Sequence, residues 1–119
     1  MPALPIRVVS ATVRKDGRLH FNQVKMLQDQ PPAGVMLVGV DKAVGLLLWL
    51  VPQALIEQHA KVQHHGYSAA LSFVAAIPPP GFPPSVVVPH TALTAQQWSQ
   101  IQSARTNTMH RHVADLFGL

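Results

Sequence analysis

The chain has 119 residues, of which 48% are hydrophobic and 12% charged, with nine Lys and Arg, five Asp and Glu, and no cysteine. This length suits one globular domain over residues 1–119, and the hydrophobic fraction excludes a disordered chain. The lack of cysteine excludes disulfides, thiolate zinc sites and cysteine nucleophiles. The net charge of +4 permits binding to nucleic acid or to an acidic protein without requiring it.

Residues 6–22 predict a β-hairpin, because a stretch rich in β-branched residues is followed by an Asp-Gly turn and a second short strand. A two-residue loop would mix polar and apolar side chains on both faces. A three-residue loop with Gly17 in the left-handed conformation instead gathers four apolar side chains on one face. These are Ala11, Val13, Leu19 and Phe21. We therefore expect the three-residue loop, with Arg14 beside Arg18 on the opposite face.

Two compact apolar runs follow, over residues 34–40 and 45–51. They predict buried central strands joined in a hairpin around residues 41–44. A helix over residues 46–50 is an alternative, because hydrophobic periodicity does not distinguish a short buried helix from a buried strand.

A helix is predicted over residues 52–65, with a proline suited to its first position and Gly66 as its C-terminal cap. Residues 67–77 then predict a third apolar strand. The proline-rich segment 78–84 has too few backbone donors for a helix or a central strand, and it predicts a stiff, extended loop. Residues 85–89 predict a short strand, in which Pro89 either ends the strand or marks it as an edge strand.

The last predicted element is a helix over residues 94–117, in which Thr94 and Gln97 have capping-box spacing. Its apolar side chains gather on one side at about 100° per residue. They are Trp98, Ile101, Ala104, Met109, Val113, Leu116 and Phe117. All the elements together predict an α+β domain. We expect a mostly antiparallel sheet of about five strands that starts with the hairpin and is covered on one face by the two helices.

The N-terminal hairpin carries the strongest candidate binding surface. Arg14 opposite Arg18 is a like-charge cross-strand pair, which is unfavourable unless an anion neutralises it. We expect the phosphates of a nucleic acid, or the carboxylates of an acidic protein, to bind a group of neighbouring basic side chains. This group comprises Arg7, Arg14, Lys15, Arg18 and His20. The alternative is a solvated face whose long side chains spread apart in water.

The seven histidines show no local metal-binding motif, since His110 and His112 point in roughly opposite directions on a helix. We therefore expect no metal and no cofactor. A small-ligand pocket that uses Arg105, His112 and His59 is a further candidate, because Arg105 and His112 both project toward the apolar stripe of the last helix. The simpler interpretation is that the stem of Arg105 packs while its charge reaches a carboxylate or a carbonyl.

Residues 1–7 show no basic region followed by an apolar run, so we expect no secretory signal. The longest uninterrupted apolar piece, residues 43–51, is far shorter than the ~20 residues of a membrane-spanning helix. We expect a cytoplasmic protein without a membrane partner. The frequent Ala, Val, Gln and Pro, with only four Lys, are typical of a GC-rich bacterial genome.

No nucleophile elbow, phosphate-binding glycine loop, HExxH motif or carboxylate pair occurs, so we expect a binding protein rather than an enzyme. The leading prediction is a small module that contacts nucleic acid or an acidic protein through the basic hairpin. One alternative is a structural protein that forms homo-oligomers through an edge strand or the C-terminal helix, because the low charged fraction leaves much apolar surface. Another is the small-ligand pocket.

Overall fold

Residues 6–26, 33–63, 68–104 and 106–118, which this computed structural model describes, form two β-sheets and three α-helices. The predicted α+β class with mostly antiparallel strands is confirmed. In chain order the elements are β1 (Ile6–Thr12), β2 (Arg18–Met26), β3 (Gly34–Asp41), β4 (Gly45–Pro52), α1 (Gln53–His59), β5 (Lys61–Gln63), β6 (Ser68–Val74), β7 (Val86–Pro89), α2 (Ala95–Ser103) and α3 (Thr106–Leu116).

The strands divide between a four-stranded sheet of order β1-β3-β4-β7 and a three-stranded sheet of order β2-β6-β5. The prediction of an N-terminal hairpin is therefore wrong except for its turn, because β1 and β2 belong to different sheets. The Arg14 N–H donates to the Arg18 carbonyl at 2.9 Å, but the Val13 N–H already donates to Val40, a residue of β3. Strands β1 and β3 are parallel, and a parallel pair needs a crossover connection. β2 lies on that connection, in the other sheet.

The space between the two sheets holds the first hydrophobic core. Side chains of β3 and β4 enter it and meet Leu19 and Phe21 from β2 and Phe73 from β6. Trp49 lies edge-on to Phe73, with ring centroids 5.3 Å apart. The apolar face expected for the hairpin is present, since Ala11, Leu19 and Phe21 are all buried here. It forms by the stacking of two sheets rather than by the pairing of two strands.

Helices α2 and α3 cover the other face of the four-stranded sheet and close a second hydrophobic core. Ile101 from α2, and Met109 and Val113 from α3, are buried there with Val38 of β3. Helix α1 instead contributes Ile56 to the first core. The prediction that two helices cover the same face is thus wrong. The four-stranded sheet is a middle layer, with α2 and α3 on one side and α1 with the three-stranded sheet on the other.

The helix predicted over residues 52–65 ends early. It stops at His59, because Ala60 has an extended backbone (φ −73°, ψ 143°). The next residues, Lys61–Gln63, pair antiparallel with β6. Sheet pairing satisfies backbone groups that would otherwise line an open strand edge, and it replaces the last predicted helical turn. The predicted cap Gly66 lies outside the described residues.

The helix predicted over residues 94–117 forms as two helices. It starts with the predicted capping box, in which Thr94 Oγ1 accepts from the Gln97 N–H at 3.0 Å and Gln97 Oε1 accepts from the Thr94 N–H at 2.9 Å. The helix breaks at Ala104, whose backbone is extended (φ −73°, ψ 145°). Unbroken, it would be about 36 Å long, whereas the break allows both halves to pack on the same sheet. None of the described helices is long and apolar enough to cross a membrane.

Strands β3 and β4 form the predicted central hairpin, in which Asp41 pairs with Gly45 and Gly34 pairs with Pro52. This pairing excludes the alternative of a helix over residues 46–50. β7 pairs with β4 and ends the order of the four-stranded sheet. This edge position agrees with one of the two roles that the sequence left open for Pro89.

Candidate functional site

The three-stranded sheet has a buried side and a polar side, which we call the outer face. Because side chains alternate along a strand, burial of Leu19 and Phe21 in the first core directs Arg18 and His20 of β2 to the outer face. His20 pairs in register with Ser72 of β6. Arg18 and Ser72 are exposed and His20 is half-buried. The alternation of β2 thus places basic and hydroxyl side chains side by side.

A concave pocket of about 150 Å³ lies on the outer face, and we call it the outer-face pocket. It is lined by Arg18, His20, His59, Lys61, Ala70 and Ser72. Lys61 reaches this place because β5 pairs with β6, with Lys61 opposite Ala70. His59 is the last residue of α1. Among the described residues the lining contains two permanent cations, two imidazoles and one hydroxyl, without any carboxylate.

Hydrogen bonds fix part of this lining. The Arg18 guanidinium donates to Ser72 Oγ at 3.4 Å. His20 Nε2 donates to Asn22 Oδ1 at 2.9 Å, which orients the imidazole along β2. The Arg18 backbone N–H donates to Asp16 Oδ1 at 3.0 Å, so that this carboxylate is engaged at the turn. The cationic ends of Arg18 and Lys61 remain available to an external anion.

The imidazole of His59 packs against the ring of Phe82, which in turn packs against Phe73. Its ring lies edge-on to Phe82, with centroids 5.8 Å apart, and Phe82 lies edge-on to Phe73 at the same distance. The predicted proline-rich loop therefore packs onto the first core through Phe82. Nε2 of His59 is buried and has no hydrogen-bond partner among the described residues. A buried ring nitrogen without a partner is unfavourable.

The turn between β1 and β2, residues 14–18, adds charge next to the pocket, and we call it the basic turn. Arg14 and Lys15 are exposed there. Gly17 has φ 81° and its N–H donates to the Arg14 carbonyl at 2.9 Å, so the predicted three-residue loop with a left-handed glycine is confirmed. Arg7 lies about 20 Å along β1 from Arg14, opposite Val35. The structure brings Arg14, Lys15, Arg18 and His20 together, and it leaves Arg7 apart.

The second predicted group, Arg105, His112 and His59, does not form one pocket. His112 lines a cleft of about 230 Å³ between α2 and α3, which also contains Asp115, Gln97 and Gln100. His59 belongs to the opposite side of the middle layer. Arg105 lies outside the described residues. His59 and His112 therefore have separate surroundings, and His59 joins the basic residues instead.

Sequence reasoning missed the contact between Ser10 and His110, which are a hundred positions apart. The Ser10 N–H donates to His110 Nδ1 at 2.8 Å, and Ser10 Oγ lies 2.6 Å from the same nitrogen. An amide can only donate, so Nδ1 carries no proton and the ring is neutral. Burial lowers the pKa of His110 in agreement with this geometry. Ser10 is fully buried, so its hydroxyl does not reach a substrate, and the pair ties α3 to β1.

Lys61 and Ser72 are the polar members of the outer-face pocket that the sequence analysis did not find. The helix predicted over residues 52–65 concealed the position of Lys61. Ser72 had a signal in the sequence of β6, because its neighbours Leu71 and Phe73 are apolar and buried while Ser72 is exposed. No group of three or more His, Asp or Glu side chains within the described residues is arranged to hold a metal ion.

No protein-family model matches the chain, and no curated protein matches its sequence. The function therefore has to be inferred from the residues of the chain itself.

Proposed function

We propose that this protein is a binding module for single-stranded nucleic acid, which it contacts through the outer face and the basic turn. The observation that carries the proposal is the convergence of Arg18 from β2 and Lys61 from β5 on one pocket. Arg14 and Lys15 extend this positive surface at the neighbouring turn. Phosphate contacts of this kind supply most of the sequence-independent affinity for nucleic acid.

Charge distribution favours the outer-face pocket over the cleft between α2 and α3. The described lining of the outer-face pocket has no carboxylate, whereas the lining of the cleft includes Asp115. A polyanion is attracted where cations are unopposed, because local potential rather than net charge steers binding.

The shape of the outer face favours a single strand over a duplex. A two-stranded ribbon fits the DNA major groove, but here β2 is part of a three-stranded sheet and β1 belongs to another sheet. A flexible strand can lay its backbone across a sheet and expose its bases to neighbouring rings. The half-buried imidazole of His20 offers such a stacking surface beside Arg18.

The test is a titration of a labelled single-stranded oligonucleotide at several salt concentrations. The double variant Arg18→Ala/Lys61→Ala removes two pocket cations, and the control Lys42→Ala/Arg111→Ala removes two exposed cations elsewhere. Each phosphate contact on a single strand contributes about 0.7 to the slope of log affinity against log salt. We expect the first double variant to flatten this slope by about 1.4 and the control to leave it unchanged.

Three results would contradict the proposal: no binding at low salt, equal slopes for the two double variants, or tighter binding of a duplex of the same length. Binding of an acidic peptide in place of nucleic acid, with the same dependence on Arg18 and Lys61, would assign the surface to an acidic protein instead.

We also propose self-association as a second property, carried by a different observation. Val86 and Val87 are 61% and 49% exposed on β7, the strand at the end of the four-stranded sheet. An exposed apolar edge strand offers unpaired backbone groups to a second copy of the chain. Light scattering over a range of protein concentrations tests this proposal, with Val87→Lys expected to lower the average mass. A constant monomer mass would reject it.

A further inference from the structure

We infer that the outer-face pocket binds a phosphate monoester, the group carried by a nucleotide or by the phosphorylated end of a nucleic-acid strand. The inference deepens the proposed function and rests on it, because the proposed function identifies the molecule to which the phosphate group is attached. The chemistry of the pocket itself is carried by five side chains around one concavity. These are Arg18, His20, His59, Lys61 and Ser72.

The charge of the pocket matches a dianion. Arg18 and Lys61 are permanent cations, and the described lining has no carboxylate. A phosphate monoester carries about −1.5 to −2 at neutral pH, whereas an internal diester of a nucleic acid carries a single negative charge. Two cations without a carboxylate in the described lining are therefore better neutralised by a monoester. The cleft between α2 and α3 does not offer this match, because Asp115 lines it.

The pocket has more donor groups than a diester has non-bridging oxygens. Arg18 presents several N–H groups in a planar fork, and Lys61 presents three. Ser72 Oγ accepts from Arg18, which leaves the hydroxyl hydrogen free to donate outward. A monoester has three non-bridging oxygens to accept these hydrogen bonds, and a diester has two.

The two imidazoles of the pocket are held in place by neighbouring residues. The ring of His59 packs edge-on against Phe82. The ring of His20 is already oriented by Asn22, so both imidazoles are set before a ligand arrives. Such preorganisation reduces the entropic cost of binding.

The shape of the pocket also favours a phosphate group that is esterified through only one of its oxygens. Its volume of about 150 Å³ accommodates one phosphoryl group or a few water molecules. The ester bonds of an internal diester leave on two sides, and both would have to pass out through the mouth of a concavity. A monoester enters with its three free oxygens forward and leaves its single ester bond toward solvent.

The matched probes are methyl phosphate and dimethyl phosphate, which carry no base or sugar. Binding is followed by heteronuclear NMR of the intact protein, with inorganic phosphate and chloride at equal ionic strength as further arms. We expect methyl phosphate to bind about tenfold tighter than dimethyl phosphate, with shifts at Arg18, Ser72 and the imidazoles. Lys61→Ala and Ser72→Ala should weaken methyl phosphate binding. Lys42→Ala, in the β3–β4 turn of the other sheet, should leave it unchanged.

The source of the phosphate is distinguished by three ligands: a nucleoside 5′-monophosphate, a 5′-phosphorylated oligonucleotide and the same oligonucleotide with a 5′-hydroxyl. A preference for phosphorylated over hydroxyl ends that is lost in Lys61→Ala supports the inference for strand ends. Binding of the mononucleotide alone supports it for nucleotides and refutes the proposed nucleic-acid function. Equal affinity for methyl and dimethyl phosphate, or unchanged binding in Lys61→Ala and Ser72→Ala, overturns the inference while leaving the nucleic-acid proposal standing.

Discussion

The helix layer of α2 and α3 and the three-stranded sheet lie on opposite sides of the same middle sheet, and they use histidine differently. In the helix layer, His110 is neutral and accepts a hydrogen bond from the buried Ser10. On the outer face, His20 and His59 line a pocket beside two cations. The residue type is the same in both places. All three imidazoles are half-buried, so the available partner decides whether an imidazole connects two elements of the fold or lines a pocket.

The exposed charges of the two layers differ in the same way. On α3, Arg111 and Asp115 are both exposed, four residues apart, so opposite signs are mixed. Around the outer-face pocket, Arg18 and Lys61 have no carboxylate in the described lining. The net charge of +4 is consequently a poor guide to binding. The location of unopposed cations is the informative quantity.

The largest expected effect tests whether side chains on the buried side of the three-stranded sheet stabilise the fold more than those on its outer face. Phe21→Ala removes a fully buried ring that packs against Phe73, with centroids 5.8 Å apart. We expect the free energy of unfolding to fall by about 3–5 kcal/mol, measured by urea denaturation. Arg18→Ala, on the opposite side of the same strand, should change it by less than about 0.5 kcal/mol. Similar losses in the two variants would contradict the assignment of buried and outer sides.

The next effect concerns the attachment of the helix layer. His110→Ala leaves the buried Ser10 N–H without an acceptor, so we expect a loss of about 1–3 kcal/mol at pH 8. His110→Gln keeps an acceptor and should lose less. Urea unfolding of both variants, with His112→Ala as a control on the same helix, measures the difference. A loss for His112→Ala as large as that for His110→Ala would argue against the contact.

The same pair predicts a pH dependence. Burial lowers the pKa of folded His110 below its usual value of 6.5, so the unfolded chain takes up a proton that the folded chain resists. The stability contributed by neutral His110 is complete above pH 6.5 and is lost as the pH falls through the lowered folded-state pKa. Because Gln does not titrate, His110→Gln should lose less stability between pH 8 and pH 5 than the parent. Identical losses would contradict this prediction.

The smallest effect compares one glycine from each layer. Gly17 in the basic turn and Gly118 after α3 have φ of 81° and 69°, and an added Cβ would meet no atom within 4 Å at either position. Alanine at these positions therefore tests backbone strain alone, which costs about 1–2 kcal/mol in this conformation. We expect Gly17→Ala to lose the larger part of this free energy, because the hydrogen bond from the Ala75 N–H to the Gly17 carbonyl holds the turn in its conformation. Gly118→Ala should cost less, since helix ends open locally. Thermal unfolding measures both, and a larger loss at Gly118 would contradict the expected order.

Local patterns predicted the local parts of the fold. The capping box at Thr94, the left-handed Gly17 and the β3–β4 hairpin all depend on residues close in sequence, and all three are present. The candidate basic residues Arg14, Lys15, Arg18 and His20 were found for the same reason. The position of Lys61 was not predicted, because residues 61–63 have a helical sequence pattern but form a strand that pairs with β6.

By itself, the sequence determined the class of fold, the turn at Gly17, the apolar side of the first two strands and the concentration of positive charge near the N-terminus. Only the tertiary structure decided that β1 pairs with β3, that the long C-terminal helix breaks at Ala104, and that Lys61 and Ser72 join Arg18 around one pocket. The physical reason is sequence separation. Side-chain periodicity records which side of a strand or helix avoids water, but it does not record which distant element covers that side.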